Sequence, residues 1–406
     1  MKNISLNNIL IGGLALIAMA SCSDVVDYEV PDKFSSNGAP VVNAIYDIQD
    51  TEKANPLAEG KLAQLIHIEG KNLSHVKRIL FNDVEVDLKE VYAESENSYI
   101  KIPRIIPGEI TDKMVYETDK GSVTIEFPIT IPSVELTGLM NEFALAGTSV
   151  QLAGANFDLY KFGDEETPVK IIIHNDELGY SEELKTDSCT EEYTSIPIPE
   201  DAPDNSLITM SWEEIDGTHT KSISYRNTKM MLFGDYSNDI GSGFGDWLSL
   251  TDGTAVGDPV SLGFPFIRIN GTFDAWSWNG SYAGLTWSWE DVIANPENYV
   301  FKFEVASNKA FPSYGDNGIN GSRNGGFLLT LAGGANRCQW DPVSNGLFHT
   351  YGEWVTQTIP LVDVLGGGEL KMDSWCNLEF VMQPNSGDQW NIDQCFGQFR
   401  IEPKTY

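Results

Sequence analysis

Leu65-Ile66-His67-Ile68-Glu69-Gly70-Lys71-Asn72-Leu73 is echoed by Ser149-Val150-Gln151-Leu152-Ala153-Gly154-Ala155-Asn156-Phe157. Each copy reads as a strand running into a Gly-x-Asn turn, where glycine and asparagine tolerate positive φ. A glycine opens each strand, Gly60 in the first copy and Gly147 in the second. Both copies return through further short strands, Arg78 to Phe81 and Val169 to Ile173. Pro-punctuated strands follow at Tyr99 to Pro103 and Thr194 to Pro197. Short strands with turn signals at this interval predict two β-sandwiches in tandem.

The strand-Gly-x-Asn-apolar pattern resembles the immunoglobulin-like IPT/TIG domain, at residues 39–130 and again at 131–228. These two units hold no aromatic cluster, which makes them spacers.

Beyond Met230 the chain changes character, because nine of its ten tryptophans lie there. Tyr299 to Val305 alternates, with Phe301, Phe303 and Val305 on one face and Lys302 and Glu304 on the other. That is the pattern of a half-buried strand. Gly326 to Leu331, Trp354 to Ile359, Leu378 to Met382 and Phe396 to Ile401 read as further strands. The fold class is therefore all-β: two tandem Ig-like sandwiches, then a jelly-roll-like β-sandwich over 229–406.

At the other end, Lys2 precedes the short apolar run Ile9 to Ala20. That run is shorter than the ~20 apolar residues a spanning helix needs, and it suits a signal peptide over residues 1–21. Met19-Ala20-Ser21-Cys22 resembles the lipobox of bacterial lipoproteins, with Met19 where an aliphatic residue is commoner. The resemblance implies lipidation at Cys22 and a membrane contact through the lipid alone. Residues 22–38 read as a polar tether, and its Asp24, Asp27 and Glu29 look like an export signal to the cell surface. The expected location is the outer membrane, facing outward.

A net charge of −33 sets nucleic acid and anionic surfaces aside as partners. It also disfavours acidic glycans, so a sugar ligand should be neutral. Past Cys22 there are Cys189, Cys338, Cys376 and Cys395, whose spacing fits no zinc motif. Both buried thiols and a disulfide among the last three are compatible with export. No metal or cofactor is expected.

A core of this size ordinarily uses one to three tryptophans, since each buried indole N–H needs a partner. Trp340, Trp375 and Trp390 suit the core. The segment from Phe273 to Trp289 differs: Trp276 and Trp278 are two apart, as are Trp287 and Trp289, so each pair shares a face in extended chain. Gly, Asn and Ser from Trp276 to Gly284 suggest a loop, whereas Leu285 and Val292 leave the second pair open to either role. Exposed aromatic rows suit the C–H faces of β-linked sugars, with a few placed polar groups on the hydroxyls. Trp276, Trp278, Tyr282, Trp287 and Trp289 are the candidate rings. Asp274, Asn279, Asn270 and Gln339 are the polar candidates.

The whole layout resembles the surface glycan-binding lipoproteins of polysaccharide-utilisation systems, most closely the group with a C-terminal xyloglucan-binding domain. It implies capture of a neutral plant β-glucan, such as xyloglucan or mixed-linkage glucan, without catalysis. It also implies an outer-membrane glycan transporter and companion surface lipoproteins as partners. Because that family places its sugar-gripping aromatics early in the terminal domain, Trp247 joins the candidates.

Two other readings compete. In one, the Ig-like domains of an adhesin or assembly lipoprotein contact protein and the tryptophans are all buried. In the other, the chain is a glycoside hydrolase. Glu213-Glu214-Ile215-Asp216 resembles the Glu-Ile-Asp core of a jelly-roll glycanase family. Gly217-Thr218-His219 follows where a second catalytic carboxylate is needed, and no other catalytic motif appears.

Overall fold

The computed structural model describes residues 32–163, 169–233, 247–314, 325–333, 336–385 and 387–406. Cys22 lies outside them, as do the side chains of Trp375 and Cys376. Among the described residues no helix is long and apolar enough to cross a membrane. The chain divides into two compact units, Met1–Pro132 and Ser133–Tyr406.

In the first unit, Val41–Asp47, Leu65–Lys71, Asn97–Lys101 and Val91–Ala93 form one sheet in that order. Val84–Glu85, Val76–Phe81, Lys113–Thr118 and Gly121–Glu126 form the facing sheet. The second unit begins with the same plan. Glu135–Leu139, Ser149–Ala155, Tyr193–Pro197 and Ser188–Cys189 make one sheet; Tyr180–Leu184, Lys170–Asn175, Ser206–Glu214 and Gly217–Tyr225 make the other.

The repeated motif has one physical explanation in both places. A Cβ on Gly70 would stand 2.0 Å from the Val41 carbonyl oxygen, and one on Gly154 would stand 1.9 Å from that of Glu135. Each contact falls where the neighbouring strand bulges, between Val42 and Ala44 and between Leu136 and Gly138. Close approach, rather than positive φ, is what demands glycine here. Positive φ belongs to the asparagines, Asn72 at 55° and Asn156 at 67°. Their Nδ2 groups donate to the carbonyls of Ala39 (3.2 Å) and Ser133 (2.9 Å), and Leu73 and Phe157 behind them are buried.

Among the described residues the terminal sandwich has nine strands. They are β1 (Ser249–Thr251), β2 (Phe266–Phe273), β3 (Asn279–Thr286), β4 (Tyr299–Ser307), β5 (Gly326–Leu331), β6 (Cys338–Trp340), β7 (Val355–Pro360), β8 (Trp375–Gln383) and β9 (Trp390–Pro403). One antiparallel sheet runs β1-β2-β9-β4-β7 and the other β3-β8-β5-β6. From β2 to β9 the chain changes sheet at every step except β5 to β6, and the strands pair β2 with β9, β3 with β8, β4 with β7 and β5 with β6, as in a jelly roll. Between the sheets lies an aromatic-rich core that includes Phe301, Phe303, Phe327, Phe380, Phe396 and Phe399. Each such ring contributes roughly 1.5–3 kcal/mol by leaving water. Trp340 and Trp390 are buried in it, as expected.

The outer face of the β2-β9-β4-β7 sheet turns toward the second sandwich. Phe143 packs there with Leu262, Phe266, Ala306, Trp354 and Cys395, while the backbone N–H of Glu142 donates to the Thr356 hydroxyl at 2.8 Å. The outer face of the β3-β8-β5-β6 sheet carries the exposed Trp278 and Tyr282.

Candidate functional site

β2 ends in one sheet and β3 begins in the other, so Asp274 to Trp278 crosses the end of the sandwich. Two bonds hold the crossing. Trp276 N–H donates to the Pro384 carbonyl at 2.8 Å, and Gln383 Nε2 donates to the Trp276 carbonyl at 3.3 Å. Trp276 has φ of 63°, a left-handed conformation that costs a bulky residue roughly 1–2 kcal/mol and marks a candidate functional position. Its ring is 54% exposed.

Past the crossing, β3 is an edge strand that pairs with β8 alone among the described residues. Side chains alternate, so Trp278, Gly280, Tyr282 and Gly284 share the outer face while Ser281 and Ala283 point inward and are buried. Trp278 and Tyr282 are each 46% exposed. Gly280 between them is what lets the rings converge: a Cβ there would lie 3.0 Å from Trp278 Nε1 and 3.2 Å from the Tyr282 hydroxyl.

The polar candidates have defined partners. Asp274 Oδ1 accepts from Gln389 Nε2 at 2.5 Å. Asn279 Nδ2 donates to the carbonyls of Ser277 and Met382 and to the Ser277 hydroxyl, at 3.0–3.2 Å. That amide anchors the start of β3. Gln339 lies on the same outer face, donating to the Gly325 carbonyl at 2.7 Å. Asn270 is exposed but belongs to β2, in the opposite sheet.

Three of the expected rings are placed differently. Trp287 is 1% exposed and lies within the core, so it has no face to offer a sugar and leaves the candidate set. Trp289 is half-buried against it, edge to face at 5.0 Å between centroids. Trp247 is also half-buried, its ring stacked at 6.2 Å on Phe380 and its Nε1 directed at the Gly280 carbonyl, 3.4 Å away. It walls the core beneath the exposed rings. Trp287 and Trp289 pack on each other and on the core, and Trp247 packs on Phe380 of β8.

Sequence reading missed Arg337 and Glu379. They reach the aromatic face from β8 and the approach to β6, and nothing local to Trp276–Tyr282 signals them. By contrast, the Glu214-Ile215-Asp216 segment is a hairpin tip in the second sandwich. Glu214 Oε1 accepts from Trp212 Nε1 (2.7 Å) and Val134 N (3.0 Å), and Asp216 pairs with His219 at 2.7 Å. The ligating atoms of Glu214, Asp216 and His219 gather within 4.8 Å, but these bonds account for their placement.

Residues 225–403 match the family model described as the surface glycan-binding protein B xyloglucan binding domain. The match covers the terminal sandwich. No curated protein sequence matches the chain. Among solved structures, the chain is similar to the surface glycan-binding protein PbSGBP-B from Prevotella bryantii: 20% identity, 91% of this chain and 100% of that one, TM-score 0.44. SGBP-B from a complex xyloglucan utilization locus in Bacteroides uniformis matches at 18% identity over 90% and 99% of the two chains, TM-score 0.45. A Bacteroides ovatus mixed-linkage glucan utilization locus SGBP-B, in complex with a mixed-linkage heptasaccharide, matches at 13% identity over 89% and 74%, TM-score 0.27.

Proposed function

We propose that this chain captures a neutral β-glucan, xyloglucan or a mixed-linkage relative, by stacking sugar rings on Trp276, Trp278 and Tyr282, and releases it uncut. The observation that carries the reading is the pair of half-exposed rings flanking Gly280 on the open edge of β3. Half-exposed indole and phenol rings on one strand face, with Gln383 and Gln339 in the same sheet, suit a flat polymer bearing hydroxyls. The family model named for xyloglucan supports the ligand class, and the net charge of −33 supports a neutral chain. The described carboxylates near the rings, Asp274 and Glu379, are held by an amide and a guanidinium, an arrangement suited to positioning rather than proton transfer. Open rings at Trp276 and Trp278 also favour glycan over an adhesin with buried tryptophans.

The setting belongs to the same proposal: lipid on Cys22, the outer face of an outer membrane, and a glycan transporter with companion lipoproteins beside it. Fatty-acid labelling that persists in a Cys22→Ala variant would sink the anchor. For the ligand, calorimetry against a panel of neutral plant and yeast polysaccharides is decisive. Micromolar to millimolar affinity, about −4 to −8 kcal/mol, is expected of an open platform. Reducing sugar released from the bound polymer, or no binding across the panel, would overturn the reading.

A further inference from the structure

Strand register sets four residues in one row across the outer face of the aromatic sheet. Tyr282 pairs with Glu379, and Glu379 with Thr330. Because Leu329 pairs with Cys338, Arg337 comes next to Thr330. Arg337 reaches back along this row. Its Nε and Nη2 donate to the two oxygens of Glu379 at 3.2 and 3.1 Å, and its guanidinium carbon lies 5.0 Å from the centroid of the Trp278 ring. One side chain therefore joins the approach to β6, the middle of β8 and the aromatic edge at β3.

The arginine side chain is 42% exposed and the glutamate 13%. The arginine is nearly half open to solvent, and ion-pair stability alone does not account for its reach from the Glu379 carboxylate to the Trp278 ring. We infer that Arg337 and Glu379 are positioning residues that hold the Trp278 indole for one-sided stacking, the guanidinium on one ring face and the sugar on the other. The inference rests on the stacking function proposed above. An exposed indole that must be frozen when the ligand arrives loses affinity to its own rotamer freedom, and one already held does not. The carboxylate fork fixes the guanidinium plane, and the cation–π contact carries that order to the ring. Lysine, a point charge without the fork, would reproduce the charge but not the orientation.

The test is a double-mutant cycle in the full chain, read by calorimetry with xyloglucan oligosaccharide or, if that is silent, mixed-linkage oligosaccharide. Arg337→Ala should weaken binding roughly three- to tenfold with an unchanged melting temperature. Glu379→Gln should do nearly the same, and Arg337→Lys should restore only part. In a Trp278→Ala background, Arg337→Ala should have no further effect, because the arginine acts through the ring. The idea is overturned if Arg337→Ala binds as wild type, or if it binds more tightly, which would make the guanidinium a plug. It is also overturned if the two losses add in full, or if affinity falls only as far as melting temperature does. Trp278→Ala with unaltered affinity would instead defeat the stacking reading itself.

Discussion

Glu142 of the second sandwich and Arg400 of the terminal sandwich meet as a buried ion pair, Oε2 to Nη2 at 2.5 Å. The same guanidinium pairs with Glu402 at 2.6 Å and Glu304 at 3.0 Å and lies 4.7 Å from the Phe143 ring centroid. Lys302 closes the cluster, 2.7 Å from Glu142 and 3.2 Å from Glu402. Three carboxylates thus share two cations away from solvent, and the seam between the two sandwiches depends on every member keeping its partner.

Glu142→Ala should cost about 1–3 kcal/mol or more, because buried donors on Arg400 and Lys302 each lose an acceptor while Glu304 and Glu402 keep both cations paired. Urea unfolding of the full chain measures it. A loss under about 1 kcal/mol would mean that water enters the seam and the pair is effectively exposed.

Stability should also depend on pH through Glu304. Burial, the largest cause, pushes its carboxyl up to about 7 from 4.5; Glu142 acts in the same direction, while Arg400 and the Thr356 hydroxyl oppose. The folded chain holds this proton more tightly than the unfolded one. Its contribution is complete below about 4.5 and is lost as pH rises through about 7. Glu402 behaves oppositely: burial raises it, but Arg400 and Lys302 together bring it down to about 2 from 4.5. Its contribution is present above 4.5 and lost as pH falls toward 2. Melting temperatures between pH 4.5 and 7.5 should decline in the wild type and decline less in Glu304→Gln. Parallel curves would exclude Glu304 as the titrating group.

Trp276 allows stability and binding to be separated. Glycine accepts φ of 63° without strain, so Trp276→Gly should leave the melting temperature level or slightly raised. Affinity for the glycan should fall about tenfold, since one essential ring contributes about 1–3 kcal/mol by analogy with stacking on nucleic-acid bases. A variant that melts much lower would show that the ring packs rather than binds.

The same contrast separates Trp278 from Trp340. Trp278→Ala should weaken binding tenfold or more and leave stability near wild type, because its ring is half in solvent. Trp340 is packed among Phe303, Phe311, Phe327 and Phe396, and its replacement by alanine should cost about 3–5 kcal/mol. Differential scanning calorimetry alongside ligand titration distinguishes the two patterns.

Gly70→Ala and Gly154→Ala should destabilise their own sandwiches by similar amounts, about 1–3 kcal/mol or more, by forcing the facing carbonyl away. Hydrogen exchange at the strand pairs Val41–Asp47 with Leu65–Lys71, and Glu135–Leu139 with Ser149–Ala155, would report each loss separately. Unequal effects would break the equivalence of the two motifs.

What the sequence determined by itself was local. The Gly-x-Asn motifs declared two similar sandwiches because a bulge contact and a left-handed asparagine are demands on a few neighbouring residues. Gly, Asn and Ser from Trp276 to Gly284 suggested a loop, but only Asp274 to Trp278 crosses as one, and Asn279–Thr286 is a strand whose pairing with β8 no local pattern signals. The tertiary structure alone decided which rings face water. The two-residue spacing of Trp287 and Trp289 was as good as that of Trp276 and Trp278. Yet Trp287 lies in the core, because alternation assigns a face without saying what covers it. Covering groups come from far along the chain: Arg337 meets the Trp278 ring, and Glu379 meets Arg337, only once β3, β8 and β6 share a sheet. Glu142 and Arg400 stand 258 residues apart, and no local pattern links them. Their pairing follows from one sandwich burying its face on another, where each charge needs a partner in place of water.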